Sequence, residues 1–203
     1  MEGLTITRCS GSELPPLIEA LAALRVRVFR DFPYLYDGDP AYEVAYLRIY
    51  LASPRSAVIV ARQGGRIVGA STCLPLSDET ENVQAPFHAR GWSVSDFFYF
   101  GESVLLPELR GQGVGVTFFR EREAHAAAVS DCPYACFCAV ARPADHPARP
   151  GGYVPLDGFW RKRGFVARPD VTCTMRWRDL GAAEETPKTL TFWMKALQGA
   201  PLP

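Results

Sequence analysis

The sequence predicts an α/β (α+β) fold in which a mixed, mostly antiparallel twisted sheet is flanked by helices. The chain has 203 residues, 48% hydrophobic and 22% charged, a composition typical of one globular domain covering residues 1–203. Two β-rich runs on either side of Gly64-Gly65 predict an antiparallel hairpin. Farther along, a strand, a glycine-rich turn, a helix and another strand follow in order over residues 96–140, and this order usually makes the two strands parallel.

Two helices are predicted before the hairpin. Residues 13–30 repeat apolar side chains at helical spacing, and the arginines at 25, 27 and 30 are expected on the other faces of this helix. A second helix is expected at 42–51. The intervening segment 31–41, DFPYLYDGDPA, is unusually rich in large rings and is called the aromatic loop below. This loop either lines a substrate cleft or fills the gap between the two helices.

The other strands and turns are predicted from runs rich in β-branched and aromatic residues and from the glycines between them. Residues 75–96 lack a clear periodicity and are expected to form a long connection with at most one short helix. Strands are predicted at 56–61, 66–74, 96–106, 134–140, 171–177 and 189–195, with a helix at 114–130 and a short helix at 155–163 that ends at Gly164.

Charge and cysteine content argue against several classes of protein. Lys plus Arg and Asp plus Glu both number 22, so the chain lacks the basic excess of a nucleic-acid-binding protein. No apolar run reaches the length of a membrane span, and residues 1–10 do not resemble a signal peptide, which favours a cytoplasmic location. The six cysteines include no CxxC pair, and only three histidines accompany them, so we expect reduced thiols and no metal site.

The segment from Arg110 to Gly115 has the sequence Arg-Gly-Gln-Gly-Val-Gly and lies between a predicted strand and a predicted helix. Consecutive backbone N–H groups at a helix N-terminus, beside residues without side chains, form a good site for phosphate oxygens. A P-loop requires Gly-Lys-Ser/Thr, and a dinucleotide-binding pattern from Gly111 requires a glycine where Val116 stands. A different phosphate-bearing ligand is therefore indicated, and a tight turn without a ligand is the alternative.

The spacing Arg-x-x-Gly-x-Gly, after a strand that ends in Leu-Leu-Pro, resembles that of the GNAT superfamily of acyl-CoA-dependent N-acetyltransferases. A second resemblance lies at residues 159–165, FWRKRGF, which is similar to the family's aromatic-Tyr-x-x-x-Gly-Phe helix end after the fifth strand. Together with the order of the elements, the likeness covers most of the chain. It implies a GNAT-like fold and acetyl-CoA as cosubstrate. The implied reaction transfers acetyl to a primary amine of a small molecule or peptide, by direct attack in a ternary complex.

The resemblance also assigns residues to the cosubstrate. The backbone from Ser103 to Leu105 is expected to pair with the amides of the pantetheine arm, and Phe159 is assigned to the same site. This is chemically reasonable, because an exposed strand edge can pair with amides and an array of N–H donors suits a diphosphate. The pyrophosphate is expected at Arg110, Gly111, Gln112, Gly113, Val114 and Gly115.

Acetyl transfer needs a neutral amine to attack and a thiolate to leave, so one proton must be removed and another supplied. In the family a tyrosine of the aromatic helix end often supplies the second proton, but this sequence has Trp160 there, and an indole N–H is no general acid. Tyr153, His146 and Tyr99 are the candidates for the acid. Each of the three could instead serve only in packing or in a turn.

Glu102 is the candidate general base. A carboxylate within an aromatic and aliphatic strand is costly to bury unless it is paired or functional. Strand alternation could instead turn Glu102 away from the cleft toward an arginine. A proton relay through solvent is a third reading, because positioning the two reactants already supplies much of the rate.

The sequence does not determine the acceptor, the acyl chain length or the oligomeric state. Phe32, Tyr34 and Tyr36, together with Asp37 and Asp39, would suit a cationic or aromatic amine, or they could simply pack locally. The predicted strand at 189–195 either completes the sheet or pairs two subunits of a homodimer. Two rival functions remain: a catalytically silent acyl-CoA-binding sensor or interaction module, which Trp160 favours, and a different nucleotide-binding protein.

Overall fold

A seven-stranded sheet forms the centre of the computed structural model, which describes residues 3–199 and 201–203. The strands are β1 (Leu4–Cys9), β2 (Ala57–Gln63), β3 (Arg66–Pro75), β4 (Phe97–Leu105), β5 (Tyr134–Val140), β6 (Val166–Arg178) and β7 (Glu185–Ala196). The helices of at least five residues are α1 (Ile18–Phe29), α2 (Pro40–Ala52), α3 (Glu81–His88), α4 (Val114–Val129) and α5 (Asp157–Arg161). The strand order is β1-β2-β3-β4-β5-β7-β6, and only β4 and β5 are parallel neighbours. The predicted mixed, mostly antiparallel sheet is confirmed.

Most elements lie where the sequence predicts them. The β2–β3 hairpin turns at Gly64 and Gly65, whose φ angles are 57° and 74°, and α4 connects β4 to its parallel neighbour β5. The connection at 75–96 contains the short helix α3. The last two strands are longer than predicted, because β6 and β7 pair from Val166–Met194 to Arg178–Glu185 and so extend beyond β5, whose pairing with β7 ends at Val140–Leu190.

The first strand, β1, has no clear signal in the sequence. This strand pairs antiparallel with β2 from Leu4–Gln63 to Cys9–Val58 and forms one edge of the sheet. Only Cys9 of its six residues is fully buried. The strand therefore lacks the apolar run that identifies a core strand, and its pairing with the buried β2 is what defines it.

The first four residues of β4, Phe97–Phe100, are all buried, and β4 lies at the middle of the sheet. On one face the Phe100 ring packs toward α4, where the guanidinium of Arg122 lies 4.6 Å from the Phe100 centroid and 4.5 Å from that of Phe119. Burial lowers the pKa of Arg122 to about 10. The opposite face of β4 contacts α1 and is the face on which the candidate site is built.

Candidate active site

The glycine turn, residues 110–115, connects the end of β4 to α4. Gly111 and Gly113 have φ angles of 77° and 83°, in the left-handed region that favours glycine. A Cβ atom placed on either residue would meet nothing within 4 Å, so the space beside the turn is open. Gly113 is the N-cap of α4 and provides no side chain to cap the helix.

The N-terminus of α4 offers hydrogen-bond donors to a ligand. The first helical bond runs from the Thr117 N–H to the Gly113 carbonyl at 3.1 Å, and the N–H groups before it have no partner within the helix. The side chains of the turn bond to the preceding backbone and to the aromatic loop: Arg110 Nε donates to the Leu105 carbonyl at 3.3 Å and its Nη2 to Asp31 at 3.4 Å. Gln112 Nε2 donates to the Glu108 carbonyl at 3.1 Å. Free donors, open space and the positive end of the helix dipole together fit a pyrophosphate.

The second sequence motif lies directly beside this turn. The Phe159 Cζ atom is 3.2 Å from the position that a Cβ on Gly115 would occupy. Trp160, in contrast, packs against the rings of Phe137 and Trp193, with centroid distances of 5.1 and 5.0 Å. The structure therefore brings Phe159 to the glycine turn and places Trp160 in a cluster of rings from β5 and β7.

β4 and β5 separate after three paired residues. Their parallel pairing joins Phe97–Tyr99 to Tyr134–Cys136, beyond which β4 continues to Leu105 and β5 to Val140 without pairing to each other. The edge of β4 around Ser103 and Leu105 thus faces an opening rather than a neighbouring strand. Free backbone groups on such an edge can pair with a chain of amides.

A β-bulge in β4 decides which way Glu102 points. The pairing with β3 slips by one residue between Ser71 and Cys73, so Gly101 and Glu102 together lie opposite Thr72. Regular alternation would turn Glu102 toward α4. The extra residue turns it toward α1 and α2, where the Tyr50 hydroxyl packs so closely on Gly101 that a Cβ there would collide with it.

Glu102 belongs to a buried charge cluster. Its Oε2 lies 2.8 Å from Arg25 Nη1 and accepts a hydrogen bond of 3.3 Å from the Tyr50 hydroxyl. Arg25 Nε also donates to Glu43, so two carboxylates share one guanidinium. The expectation that Arg25 lies on an outer face of its helix is wrong, because tertiary contacts bury it at 9% exposure. Glu102 therefore meets an arginine, as the alternative for it expects, but it lies in the wall of the cavity and is not turned away from it.

A cavity of about 750 Å³ opens beside this cluster, next to the point where β4 and β5 separate. Glu102 and Gly101 of β4 and Cys138 of β5 line it. Its other charged lining residues are Arg25, Asp37, Asp39, Glu43, Arg176, Arg178 and Glu185, and its aromatic lining residues are Phe29, Tyr34, Tyr36, Tyr42, Tyr46, Tyr99 and Trp177. Five carboxylates and three arginines leave this cavity with an excess of negative charge.

The aromatic loop forms one wall of the cavity, as the first of the two alternatives for it requires. Arg142, just after β5, fixes the loop: its Nε donates to the Pro33 carbonyl and its Nη2 to the Tyr34 carbonyl, both at 2.8 Å. The same guanidinium binds both carboxylate oxygens of Asp179, at 3.0 and 2.7 Å. The Trp177 indole N–H donates to the Tyr34 carbonyl at 3.1 Å as well.

The three candidate acids occupy two places. Tyr153 and His146 both pack on the Phe32 ring, with centroid distances of 4.7 and 5.8 Å, and neither is among the described residues that line the cavity. Tyr99 lines the cavity, and its hydroxyl lies 3.2 Å from the Cys138 sulfur. Burial raises the pKa of both Tyr99 and Tyr153, so each keeps its proton at neutral pH.

Several residues of the site were not singled out from the sequence: Arg25 as a buried ion, Glu43, Tyr50, Arg142 and Trp177. Arg25 is the one that the pattern could have identified, because it follows Leu21 by four residues and so shares the apolar face of α1. The others come together only through tertiary contacts between elements distant in sequence.

Within residues 3–199 and 201–203, no group of three His, Cys, Asp or Glu side chains is arranged to hold a metal ion. The helices in these same ranges include none that is long and apolar enough to cross a membrane.

Comparison with known proteins identifies the class. The sequence profile described as "Acetyltransferase (GNAT) family" matches residues 21–165, which include both motifs and the strands β2 to β5. The chain therefore belongs to the GNAT acetyltransferase family. Among curated proteins the sequence has no match.

Solved structures of the same fold share little sequence with this chain. The loading GNATL domain of CurA from Lyngbya majuscula superposes with a TM-score of 0.61 at 16% identity, covering 98% of this chain and 100% of that chain. An N-acetyltransferase from Staphylococcus aureus Mu50 gives a TM-score of 0.60 at 12% identity, with coverages of 97% and 99%. The structure of yncA from Salmonella typhimurium, which contains its cofactor acetyl-CoA, gives 0.59 at 13% identity, with coverages of 99% and 98%.

Proposed function

We propose that residues 1–203 form one N-acetyltransferase domain, which transfers acetyl from acetyl-CoA to a primary amine of a small molecule or a peptide. The observation that carries this proposal is the place where β4 and β5 separate. The glycine turn, which we assign to the pyrophosphate, lies at the end of β4, and the cavity with Glu102 begins at the same opening. Two reactants entering from these two sides would meet at β4, as direct transfer in a ternary complex requires.

The glycine turn supports the binding of acetyl-CoA, which supplies the thioester that is attacked. The N–H groups of Gly111 to Gly115 would hold the pyrophosphate, with Arg110 and Gln112 at its sides. The open edge of β4 at Ser103 and Leu105 would pair with the pantetheine amides. The Phe159 ring, in contact range of Gly115, would close the site on the side of α5.

Glu102 is suited to remove the proton from the attacking amine. Its carboxylate lies in the cavity wall at the bulge, and it shares Arg25 with Glu43. When Glu102 takes a proton from the amine nitrogen, Glu43 still neutralises Arg25, so the cluster accepts a proton without leaving a buried charge unpaired. The cavity volume lies within the range of small-molecule sites and also accommodates one side chain or terminus of a peptide.

The leaving thiolate needs a proton, for which Tyr153 stays our first choice and His146 our second. Both pack on Phe32 of the aromatic loop, and Tyr99 is the third candidate because it lines the cavity itself. Tyr153→Phe removes only the hydroxyl, so a large fall in turnover with intact CoA binding supports Tyr153 as the acid. Full activity of this variant eliminates Tyr153, and His146→Ala and Tyr99→Phe then show which of the other two is needed.

A second function, a catalytically silent acyl-CoA-binding sensor, is favoured by one observation. Trp160 occupies the position where the family usually has an acidic hydroxyl, and its ring is packed among aromatic neighbours.

One experiment separates the two functions. Purified protein is mixed with acetyl-CoA and each of a set of amines, and the released thiol is measured beside the CoA-dependent rise in Tm. Turnover with any amine establishes the transferase. A rise in Tm without turnover across the set supports the sensor, and equal shifts with CoA and ATP contradict both.

A further inference from the structure

Glu79 is a buried carboxylate beside the cavity that has no role in the steps above. It lies between β3 and α3 and is only 6% exposed. Its Oε2 accepts hydrogen bonds from the N–H and the hydroxyl of Thr80, at 2.8 and 3.3 Å. Its Oε1 is buried and has no hydrogen-bond partner among the residues that the structure describes. Leaving a buried carboxylate oxygen unpaired costs free energy, so its presence calls for a ligand or a function.

Glu79 lies within electrostatic range of the cavity lining. Burial dominates the raised pKa values of Tyr46 and Tyr99, and the negative charge of Glu79 raises both further. Both rings line the cavity, as does Thr80, which immediately follows Glu79 in the chain. A positive charge in this part of the cavity would therefore interact with the Glu79 carboxylate through protein rather than through bulk water.

Two of the three arginines that line the cavity are paired with carboxylates, and the third, Arg176, donates through Nη2 to the Glu185 carbonyl at 3.0 Å. Arg25 binds Glu43 and Glu102, and Arg178 lies 2.8 Å from Asp37. Among the described residues, no Lys, Arg or His side chain forms an ion pair with Glu79. Glu79 is therefore a buried carboxylate beside the cavity with no ion-pair partner among the described residues, and the charge of Arg25 offsets only a small part of the pKa increase that burial causes.

The nitrogen that becomes acetylated cannot supply this counter-charge, because it must be neutral to attack the thioester. A charge that satisfies Glu79 during the reaction has to come from another group of the acceptor. The rings that line the cavity favour the same ligand, since aromatic faces attract cations.

We propose that the acceptor carries a second cationic group besides the amine that is acetylated, and that Glu79 is the residue that selects for this group in the part of the cavity lined by Tyr46, Tyr99 and Thr80. The proposal rests on the transferase function proposed above and names its substrate class: diamines, polyamines, amino sugars and other amines with a lasting positive charge.

Two isosteric acceptors test the proposal. (2-Aminoethyl)trimethylammonium and 3,3-dimethylbutylamine have the same reacting amine and the same shape, but only the first has a charged tail. Steady-state kinetics are measured for both with the wild type and with Glu79→Gln. We expect KM for the charged acceptor to rise about tenfold in the variant, KM for the neutral one to change less than twofold, and kcat to stay similar. Each acceptor is compared only with itself, so the different pKa values of the two amines cancel.

Glu81→Gln is the matched control, because it removes an exposed carboxylate two residues away, where Glu81 contacts only His88 within ion-pair range. This control should leave both KM values unchanged, and Glu79→Asp, which keeps the charge, should retain part of the preference. Equal effects of Glu79→Gln on the two acceptors, or a fall in kcat with KM unchanged, would overturn the proposal.

If Glu79→Gln does not fold, the wild type provides the test. Tetramethylammonium chloride should inhibit competitively against the acceptor at concentrations where sodium chloride has no effect, and equal inhibition by the two salts contradicts the proposal. Failure of the transferase function is a separate result, since it appears as a wild type that releases no thiol with any amine.

Discussion

The two sides of the cleft are built from different parts of the chain. The glycine turn presents main-chain N–H groups from consecutive residues, and its side chains Arg110 and Gln112 bond mainly to the backbone just before it, with a further bond from Arg110 to Asp31 of the aromatic loop. The cavity instead presents side chains from α1, α2, the aromatic loop and four strands, held in place by shared ion pairs. Binding on the first side depends on backbone conformation, whereas binding and chemistry on the second depend on individual charges. Substitutions should therefore affect the two sides independently.

The largest effect is expected for Glu102→Gln, on the cavity side only. The substitution keeps the shape of the side chain and removes its basicity, so turnover should fall by roughly 10²-fold or more. CoA affinity, measured as the CoA-induced rise in Tm, should be unchanged. Glu43→Gln takes a carboxylate from the same Arg25 but leaves Glu102 in place as the base, so its turnover should fall less than that of Glu102→Gln. If the turnover of Glu102→Gln equals that of the wild type from pH 6 to 9, Glu102 is not the base and has a structural role.

A comparably large effect, on the cosubstrate side only, is expected for Gly113→Val. The left-handed φ of 83° at Gly113 is strained for a β-branched residue, and a side chain would occupy the open space that the pyrophosphate needs. Saturating CoA at 100 times Kd stabilises a protein by about 2.7 kcal/mol, and this stabilisation should disappear. Gly65→Val introduces similar strain at a φ of 74° in the hairpin turn and should keep the CoA response. Normal CoA binding by Gly113→Val would show that the turn is not the pyrophosphate site.

An intermediate effect, on the acceptor KM, is expected for Arg142→Lys, which removes part of the hydrogen bonding that fixes the aromatic loop. Arg142→Lys loses the bidentate contact with Asp179 and at least one of the bonds to the Pro33 and Tyr34 carbonyls, because an ammonium lacks the planar fork of donors. The acceptor KM should rise about tenfold, while the CoA-induced rise in Tm stays the same. Arg120→Lys, on an exposed face of α4, serves as the control. A matching loss of CoA binding in Arg142→Lys would mean that the two sides are coupled through the loop.

The difference between the glycine turn and the cavity also explains which parts of the structure could be predicted from the sequence. The glycine turn is local, and its spacing together with the 159–165 motif indicated the family and assigned Phe159 to the cosubstrate site. The cavity depends on a one-residue bulge at Gly101 and Glu102, and regular alternation gives the wrong face for Glu102 without it. A glycine within a strand is a weak indication of a bulge. The partners Arg25 and Glu43 lie far from Glu102 in sequence and meet it only when α1 and α2 pack on β4.

The smallest effect is expected for Glu79→Gln, in the pH dependence of Tm, which measures stability and not turnover. Burial raises the pKa of Glu79 from 4.5 to about 7, with a smaller contribution from the charge of Glu102. The folded chain therefore holds this proton at a pH where the unfolded chain has lost it, so this group lowers stability progressively as pH rises from about 4.5 through 7. Between pH 6 and 8 this group lowers the free energy of unfolding by about 1 kcal/mol, which corresponds to a fall in Tm of roughly 2–4 °C for a chain of this size.

Glu79→Gln lacks this titration, so the variant should gain Tm relative to the wild type as pH increases from 6 to 8, whereas Glu81→Gln should not. Glu79 destabilises the folded state at neutral pH, a cost that is typical of residues needed for binding. Addition of a cationic acceptor should therefore reduce the difference in Tm between wild type and Glu79→Gln at pH 8, because the bound positive charge favours the ionised carboxylate. A difference in Tm that is constant across this pH range would show that Glu79 is already ionised or already protonated throughout, and that burial does not tune it near neutrality.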